Sequence, residues 1–432
     1  MSSERVFPRV ERLGFASRYA GPLAVTLILA ACGGGGGNGG GGIAQPPDPE
    51  PAPDNDPPPE TGDDARRAVL SDIGTAIIVP ALEDFDMVAM GLQTAAAAVA
   101  ATPSEVPTSD AAKAAWNTAM TSWQRAEVLQ VGPAGRSTNP DAVAGGQDLR
   151  DSIYSWPFTL DTCALEAAAA NGDAVDGTTP INITGLGAIE HLLFTDAPDP
   201  ACASQPDAAA RAAHLSRLAD RIALLATSLL ERWDPAADDF LEQWTTAGLD
   251  SSVIYGRPQD ALDALSIALF YVEKQTKDRK VALPTGLPVT DLNCADPVAC
   301  PEFLESRLSR RTGENLIANF QAFRDLFTGV DGAMGVNDLL IGIDRQDLAD
   351  QIVVQVDDVL ALLAQIEADT GFDAAVEAIT DNDECVNAFS SSSGLPPCAL
   401  LGVMKSALDT FRGPIVSALG LAIPSAAAGD ND

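Results

Sequence analysis

Histidine is nearly absent from this 432-residue chain: only His191 and His214 occur. A site built from several imidazoles, such as a three-histidine zinc centre, is therefore excluded before any motif is considered. Basic side chains are also scarce. There are 26 Lys and Arg against 61 Asp and Glu, for a formal net charge of −35. Phosphate backbones are bound by clustered cations, so nucleic acid is excluded as a partner. Aromatic residues make up only 5% of the chain, and alternating runs of Val, Thr and Tyr are missing. Sandwich and barrel folds depend on such runs. No Gly-x-Ser-x-Gly elbow, Cys-x-x-Cys pair or His-Glu-x-x-His helix is present. Those absences remove the common serine hydrolase, zinc-finger and zinc-protease patterns.

What is abundant is alanine, in runs such as Ala95–Ala98 and Ala167–Ala170. Alanine is the strongest helix former, and small side chains let helices approach closely. Apolar residues at helical spacing, broken by Gly and Pro clusters, predict helices near 65–101, 108–131, 146–156, 184–194, 206–232, 236–247, 257–277, 301–307, 313–328, 335–341, 345–369, 371–380 and 399–419. Asp110, Pro258 and Pro301 stand at expected helix starts. Val281–Val289 is apolar but interrupted by Pro284, Gly286 and Pro288, which predicts a loop. The expected class is all-α, in two helical domains over residues 64–250 and 251–425, with the boundary near Asp250–Gly256.

The first 31 residues read as an export signal. Arg5, Arg9, Arg12 and Arg18 precede an apolar stretch, Pro22–Ala31, too short for a permanent span. It ends in Leu29-Ala30-Ala31-Cys32, which resembles a bacterial lipoprotein signal box. The alternative is an ordinary signal peptide with an incidental cysteine. In the lipoprotein reading the Cys32 thiol carries diacylglycerol, and residues 32–63, rich in Gly and then in Pro and Asp, form a disordered tether. The membrane is then a partner through the lipid, and Gly33 after the cysteine points to the outer membrane. Six cysteines remain: Cys163, Cys202, Cys294, Cys300, Cys385 and Cys398. An even number in an oxidising compartment predicts three disulfides, and proximity favours Cys163–Cys202, Cys294–Cys300 and Cys385–Cys398.

Two helices place carboxylates on apolar stripes. Trp116, Met120, Trp123 and Glu127 are spaced four, three and four residues apart, so Glu127 shares the apolar face. It is either drawn inside, where it needs a cationic or hydrogen-bonding partner, or reaches water at the end of the stripe. Leu186, Glu190 and Leu193 repeat the pattern. His191 lies about 100° round the helix from Glu190, and either packs or serves as a ligand. Two inward carboxylates suit a cation site or an acid–base pair. Lys274, Lys277, Arg279 and Lys280 fit a helix C-terminus. Arg307, Arg310 and Arg311 are either paired with the abundant surface acids or neutralise Glu127 or Glu190.

In order along the chain, Trp116–Pro133, Ile153–Pro157, Gly185–Phe194, Lys277–Lys280 with Pro284, and Arg310–Phe327 resemble the imelysin family. The resemblance implies two helical-bundle domains exported to the cell envelope. It also implies relatives described as metallopeptidases or associated with iron uptake. The family hallmark is Gly-x-His-x-x-Glu. Gly185 and Glu190 match it, but Gly187 stands where the family has His. That departure points away from peptidase chemistry. The expected function is a non-catalytic imelysin-like lipoprotein that binds a cation or small ligand between its domains, in iron or other metal acquisition. Glu127, Glu190 and His191 are the candidate ligands, and oxygen donors favour iron or calcium over zinc. The alternatives are an imelysin-type metallopeptidase using Glu190 with His191 or His214, and an envelope protein-interaction module without metal.

One test follows from the sequence alone. Cys32→Ser should leave the exported protein unlipidated, partitioning into the aqueous phase of a detergent extraction; wild-type partitioning would reject the anchor.

Overall fold

The structure is a computed structural model and describes residues 62–138, 142–157, 159–289, 298–388 and 393–424. The predicted signal peptide, Cys32 and nearly all of the predicted tether lie outside the described residues, as does Cys294. Within them the chain forms sixteen α-helices and no strand, only an isolated bridge between Arg136 and Ala142. The all-α expectation is met. No helix among the described residues is long and apolar enough to cross a membrane.

In chain order the helices are α1 (Asp63–Asp72), α2 (Val79–Ala101), α3 (Val106–Glu127), α4 (Leu149–Ile153), α5 (Thr162–Asn171), α6 (Gly185–Phe194), α7 (Ala208–Trp233), α8 (Phe240–Thr245), α9 (Pro258–Tyr271), α10 (Thr312–Thr328), α11 (Val336–Gly342), α12 (Gln346–Asp369), α13 (Phe372–Glu377), α14 (Asp383–Val386), α15 (Pro396–Thr410) and α16 (Val416–Leu419). Three wide π-type turns join neighbours without breaking the rod: Ile73–Ile78 between α1 and α2, Val272–Ala282 after α9, and Phe411–Ile415 between α15 and α16. The segment Val281–Val289, expected as a loop, therefore begins as the last turn of a helix.

Helix α2 buries Leu82, Phe85, Ala89, Leu92, Ala96 and Val99, alternating three and four residues apart, and packs on α3 and α7. Helix α7 buries Leu215, Leu218, Ala219, Ile222, Ala226, Leu229 and Trp233. Its first turn is closed by Asp207, whose carboxylate accepts the Ala210 N–H at 2.8 Å. A second set is formed by α10, α12 and α15, centred on Phe323, Phe327 and Phe411. Contact between α3 and α10 joins the two sets into one apolar core.

Several elements depart from the pattern read in the sequence, among them the four-residue helix α14, which was not expected. Helix α5 was not expected. It forms because Asp161 caps the Ala164 N–H at 2.9 Å and Gly172, in the left-handed region, ends it. Residues 301–307 were expected to be helical, but form one short 3-10 turn, Pro301–Phe303, and then a loop. In that loop the side chains of Glu305 and Ser306 are drawn into buried hydrogen bonds with Asn315.

Two predicted disulfides are present, Cys163–Cys202 and Cys385–Cys398, and Cys300 is disulfide-bonded. The first ties α5 to the loop before α7 across 39 residues; the second ties α14 to α15 across 13. A cross-link stabilises mainly by restricting the unfolded chain, more so for a longer loop. Replacing both cysteines of a pair by Ala should cost about 2–4 kcal/mol, with the larger loss at Cys163–Cys202. Chemical denaturation of the two double variants checks both the size and the order.

Candidate functional site

The junction of α3, the π-type segment after α9 and α10 holds a polar cluster inside the apolar core. At its centre is Lys280, which is fully buried. Its ammonium is surrounded by oxygens: Gln124 Oε1 at 2.6 Å, Glu305 Oε1 at 2.8 Å, Asn319 Oδ1 at 3.0 Å and Glu127 Oε2 at 3.4 Å. The rings of Trp156 and Tyr271 close over it at 5.3 and 5.6 Å. A buried charge is tolerable only when paired and hydrogen-bonded, and this cage does both.

Each cage member is itself tied down. Glu127 Oε1 accepts from Arg150 Nε at 3.1 Å and also from its terminal amine. Gln124 Nε2 donates to Glu305 Oε1 at 2.9 Å, and Asn315 Nδ2 donates to Glu305 Oε2 at 3.0 Å. Asn319 Nδ2 donates to the Gln124 backbone carbonyl at 2.7 Å. The structure thus resolves the two sequence alternatives for Glu127 in favour of burial. The cations that neutralise it are Arg150 and Lys280. The arginines offered from the sequence lie elsewhere: Arg310 pairs with Glu377, and Arg311 donates to Thr121.

Glu190 differs in kind. It is buried, yet its bonds are neutral: Oε1 accepts from the Ser309 backbone N–H at 2.9 Å and the Ser309 hydroxyl at 2.8 Å. Burial pushes its carboxyl up to about 7, the Ser309 bonds oppose this, and the negative charges of Glu305 and Asp373 add to it. Asp373 is raised to about 6, chiefly by burial and against its bonds from Thr312. The Tyr154 phenol is held well above its ordinary range by burial and by the charges of Glu305, Glu190 and Glu127. Tyr154 thus lies within electrostatic reach of both Glu190 and the lysine cage, but Glu127 and Glu190 share no hydrogen-bond partner.

The matched motif positions have clear physical roles. Gly185 has φ +83° and lies so close to α4 that a Cβ would stand 2.8 Å from the Ile153 carbonyl oxygen. Only glycine meets both demands. Gly187 is different: a Cβ there would meet nothing nearer than Tyr154 Cε2 at 3.9 Å, and the residue is half-buried rather than sealed. At Gly187, the position where the resemblance leads one to expect a histidine, a Cβ would sit in ordinary contact with Tyr154 without a clash.

His191 points into another cluster. Its Nε2 lies 2.8 Å from Glu166 Oε1, and Arg211 Nε donates to Glu166 Oε2 at 3.2 Å. Burial works to raise Glu166, but the His191 bond and the Arg211 charge outweigh it, so the carboxyl is held below its usual range. The negative charge of Glu166 also reaches His214, whose imidazole is lowered to about 4 by burial and then by the Arg217 charge. His191 is thus engaged with Glu166, not Glu190. Among the described residues no group of three or more His, Cys, Asp and Glu side chains is arranged to hold a metal ion. The donor set does not fit a resident metal cofactor, because the central cation position is taken by Lys280.

The profile of the imelysin family, Peptidase M75, matches residues 78–389. The chain belongs to the imelysin family. No curated protein matches the sequence. Among solved structures, an imelysin-like protein from Psychrobacter arcticum aligns with a TM-score of 0.59 at 14% identity, covering 84% of this chain and 98% of its own. A candidate iron-regulated protein A precursor from Parabacteroides distasonis aligns with a TM-score of 0.59 at 19% identity, covering 81% of this chain and 96% of its own. At these identities the likeness establishes the imelysin fold.

Sequence reasoning missed Arg150, Gln124, Glu305, Asn315 and Asn319. One signal was available: Asn315 and Asn319 sit four apart on the stripe of Leu316, Phe320 and Phe323, where polar residues need partners. Lys280→Met should leave Glu127 and Glu305 buried with too little positive charge, and should destabilise the protein by roughly 3–5 kcal/mol. Urea denaturation at pH 7 checks this; a loss under about 1 kcal/mol would show the cage to be energetically idle.

Proposed function

We propose that this imelysin-family protein is a non-catalytic binding protein of the cell envelope, and that Glu190 recognises a small cationic ligand. The observation that carries this reading is a buried carboxylate with no ion pair among the described residues, one helical turn on from Gly187, where a Cβ would fit without a clash. Such a group gains from a positive charge brought in by a ligand, whereas Glu127 already has two cationic partners. The ligand is an amine, or a metal ion that arrives with much of its coordination shell, since Glu190 is a single donor. A role in iron or other metal acquisition agrees with the iron-regulated description attached to the Parabacteroides relative. Export and lipid anchoring at the envelope rest on the basic and apolar N-terminus ending in Cys32.

The peptidase reading finds less support. A zinc hydrolase draws on imidazole donors, and here Gly187 replaces the family histidine while His191 is engaged with Glu166. Hydrolysis of a peptide by this protein, sensitive to chelators and lost in Glu190→Gln, would overturn the non-catalytic reading.

The raised Glu190 carboxyl sets the pH dependence. A proton must leave before a cation can bind, so affinity rises with pH until Glu190 is fully ionised. With a value of about 7, affinity should fall about 30-fold between pH 8 and pH 5.5. Calcium and hexaamminecobalt(III), a cation carrying its own ligands, are suitable probes for isothermal titration. The surface acids will bind both weakly, so the decisive quantity is the part lost in Glu190→Gln. Binding that is pH-independent, or unchanged in that variant, would sink the assignment.

The same value has a signed effect on stability. The folded carboxyl titrates above the unfolded one, so its contribution is fully present below the unfolded value near 4.5 and is lost as pH rises through about 7. Glu190→Gln should therefore raise the melting temperature at pH 8 and change it little at pH 4.

A further inference from the structure

A cavity of about 440 Å³ opens on a different set of residues from those around Glu190, between the π-type segment Val272–Ala282, α9 and the loop that follows α3. Its charged lining runs against the composition of the chain. Among the described residues that line it, Arg136, Arg150, Lys274 and Arg279 stand against Asp151 and Asp278, with Arg150 also paired to Glu127. In a protein with more than twice as many acids as bases, that excess of cations around one cavity is a built feature. Both acids are already engaged, Asp151 by Arg150 and Asp278 by Lys277 and Lys274.

Two observations show that the polar groups here want a partner. Arg136 is half-buried, and its guanidinium makes no hydrogen bond or ion pair among the described residues. Gln275 lines the same cavity with a buried amide oxygen that has no partner. Unsatisfied buried polar atoms cost free energy, and in native proteins they mark a bound group or a functional role. The wide helical turn that supplies Lys274, Gln275 and Arg279 brings residues four and five apart onto one face, a distortion frequent at binding sites. The remaining wall, including Val143, Ile267 and Phe270, is apolar and suits a small carbon skeleton.

We infer that this cavity binds a small multivalent oxyanion, with Arg136 and Arg279 as its charge-bearing contacts and the apolar wall against the ligand body. Guanidinium forks match the paired oxygens of carboxylate and phosphate alike. A volume of this size holds a small organic acid or phosphate ester, and Arg150, fixed by Glu127, supplies a rigid inner charge.

Isothermal titration of the full-length protein with citrate and with pyrophosphate, at constant ionic strength and with acetate as the monovalent control, tests the inference. One saturable site should appear for citrate or pyrophosphate and not for acetate. The tighter of the two identifies the ligand as carboxylate or phosphate. Arg136→Gln should weaken that binding at least tenfold without lowering the melting temperature, since the side chain holds nothing else. Arg279→Gln should weaken it as well, and Glu190→Gln should leave it unchanged. The inference is overturned by the absence of saturable heat with both anions, by binding that ignores both arginine variants, or by loss of anion binding in Glu190→Gln. Because calcium and hexaamminecobalt(III) report on Glu190 and these anions on Arg136, either assignment can fail without the other.

Discussion

The ammonium of Lys280 is the charge on which the centre of the molecule depends. Gln124 and Glu127 lie far in sequence from Glu305 and Asn319, and each of the four finds a bonding partner in the same nitrogen. Two carboxylates this deeply buried would repel each other and lose their hydration with nothing in return. With the lysine and Arg150 in place, the network fixes how α3 meets α10 and the segment after α9. Apolar packing alone, being non-directional, would allow those helices to slide or rotate. The polar centre therefore acts as a register pin between the two helix sets.

Against that neutralised centre, Glu190 is a buried carboxylate with no ion pair among the described residues. The loop 304–312 shows how closely the two are connected. Glu305 on that loop completes the lysine cage, Ser309 holds Glu190, and Thr312 holds Asp373. A positive charge arriving at Glu190 would act on a loop that also carries part of the cage. Two carboxyls raised by burial bond to this stretch, Glu190 to Ser309 on the loop and Asp373 to Thr312 at the start of α10. Backbone geometry requires glycine at Gly185, whereas at Gly187 a side chain could begin without a clash.

The charge distribution follows a consistent economy. Basic residues are few, and several are spent in the interior: Lys280 and Arg150 on Glu127, Arg211 on Glu166. The surface is left strongly acidic, which favours cations near it and repels anions. A cavity edged by Arg136 and Arg279 is then a local exception, where short-range contacts work against the long-range field.

The amino-acid sequence by itself determined the helical class, most helix positions, two of the cysteine pairs seen in the structure and the inward direction of Glu190, while for Glu127 it left burial and solvent equally open. Those features rest on local spacing, helix propensity and chain proximity, which are written in one dimension. It did not determine which cations meet the buried acids. Arg307, Arg310 and Arg311 were as reasonable as Arg150 from spacing, and Lys280 read as ordinary charge at a helix end. Only the wide turns after α9 rotate Lys280 inward, and only the packing of α10 on α3 brings Asn315 and Asn319 to Glu305 and Gln124. His191 shows the same limit: its neighbour in sequence is Glu190, but the partner it reaches is Glu166, because adjacent residues on a helix face different neighbours. Partner choice is a property of helix faces brought together in three dimensions, and tertiary packing decides it.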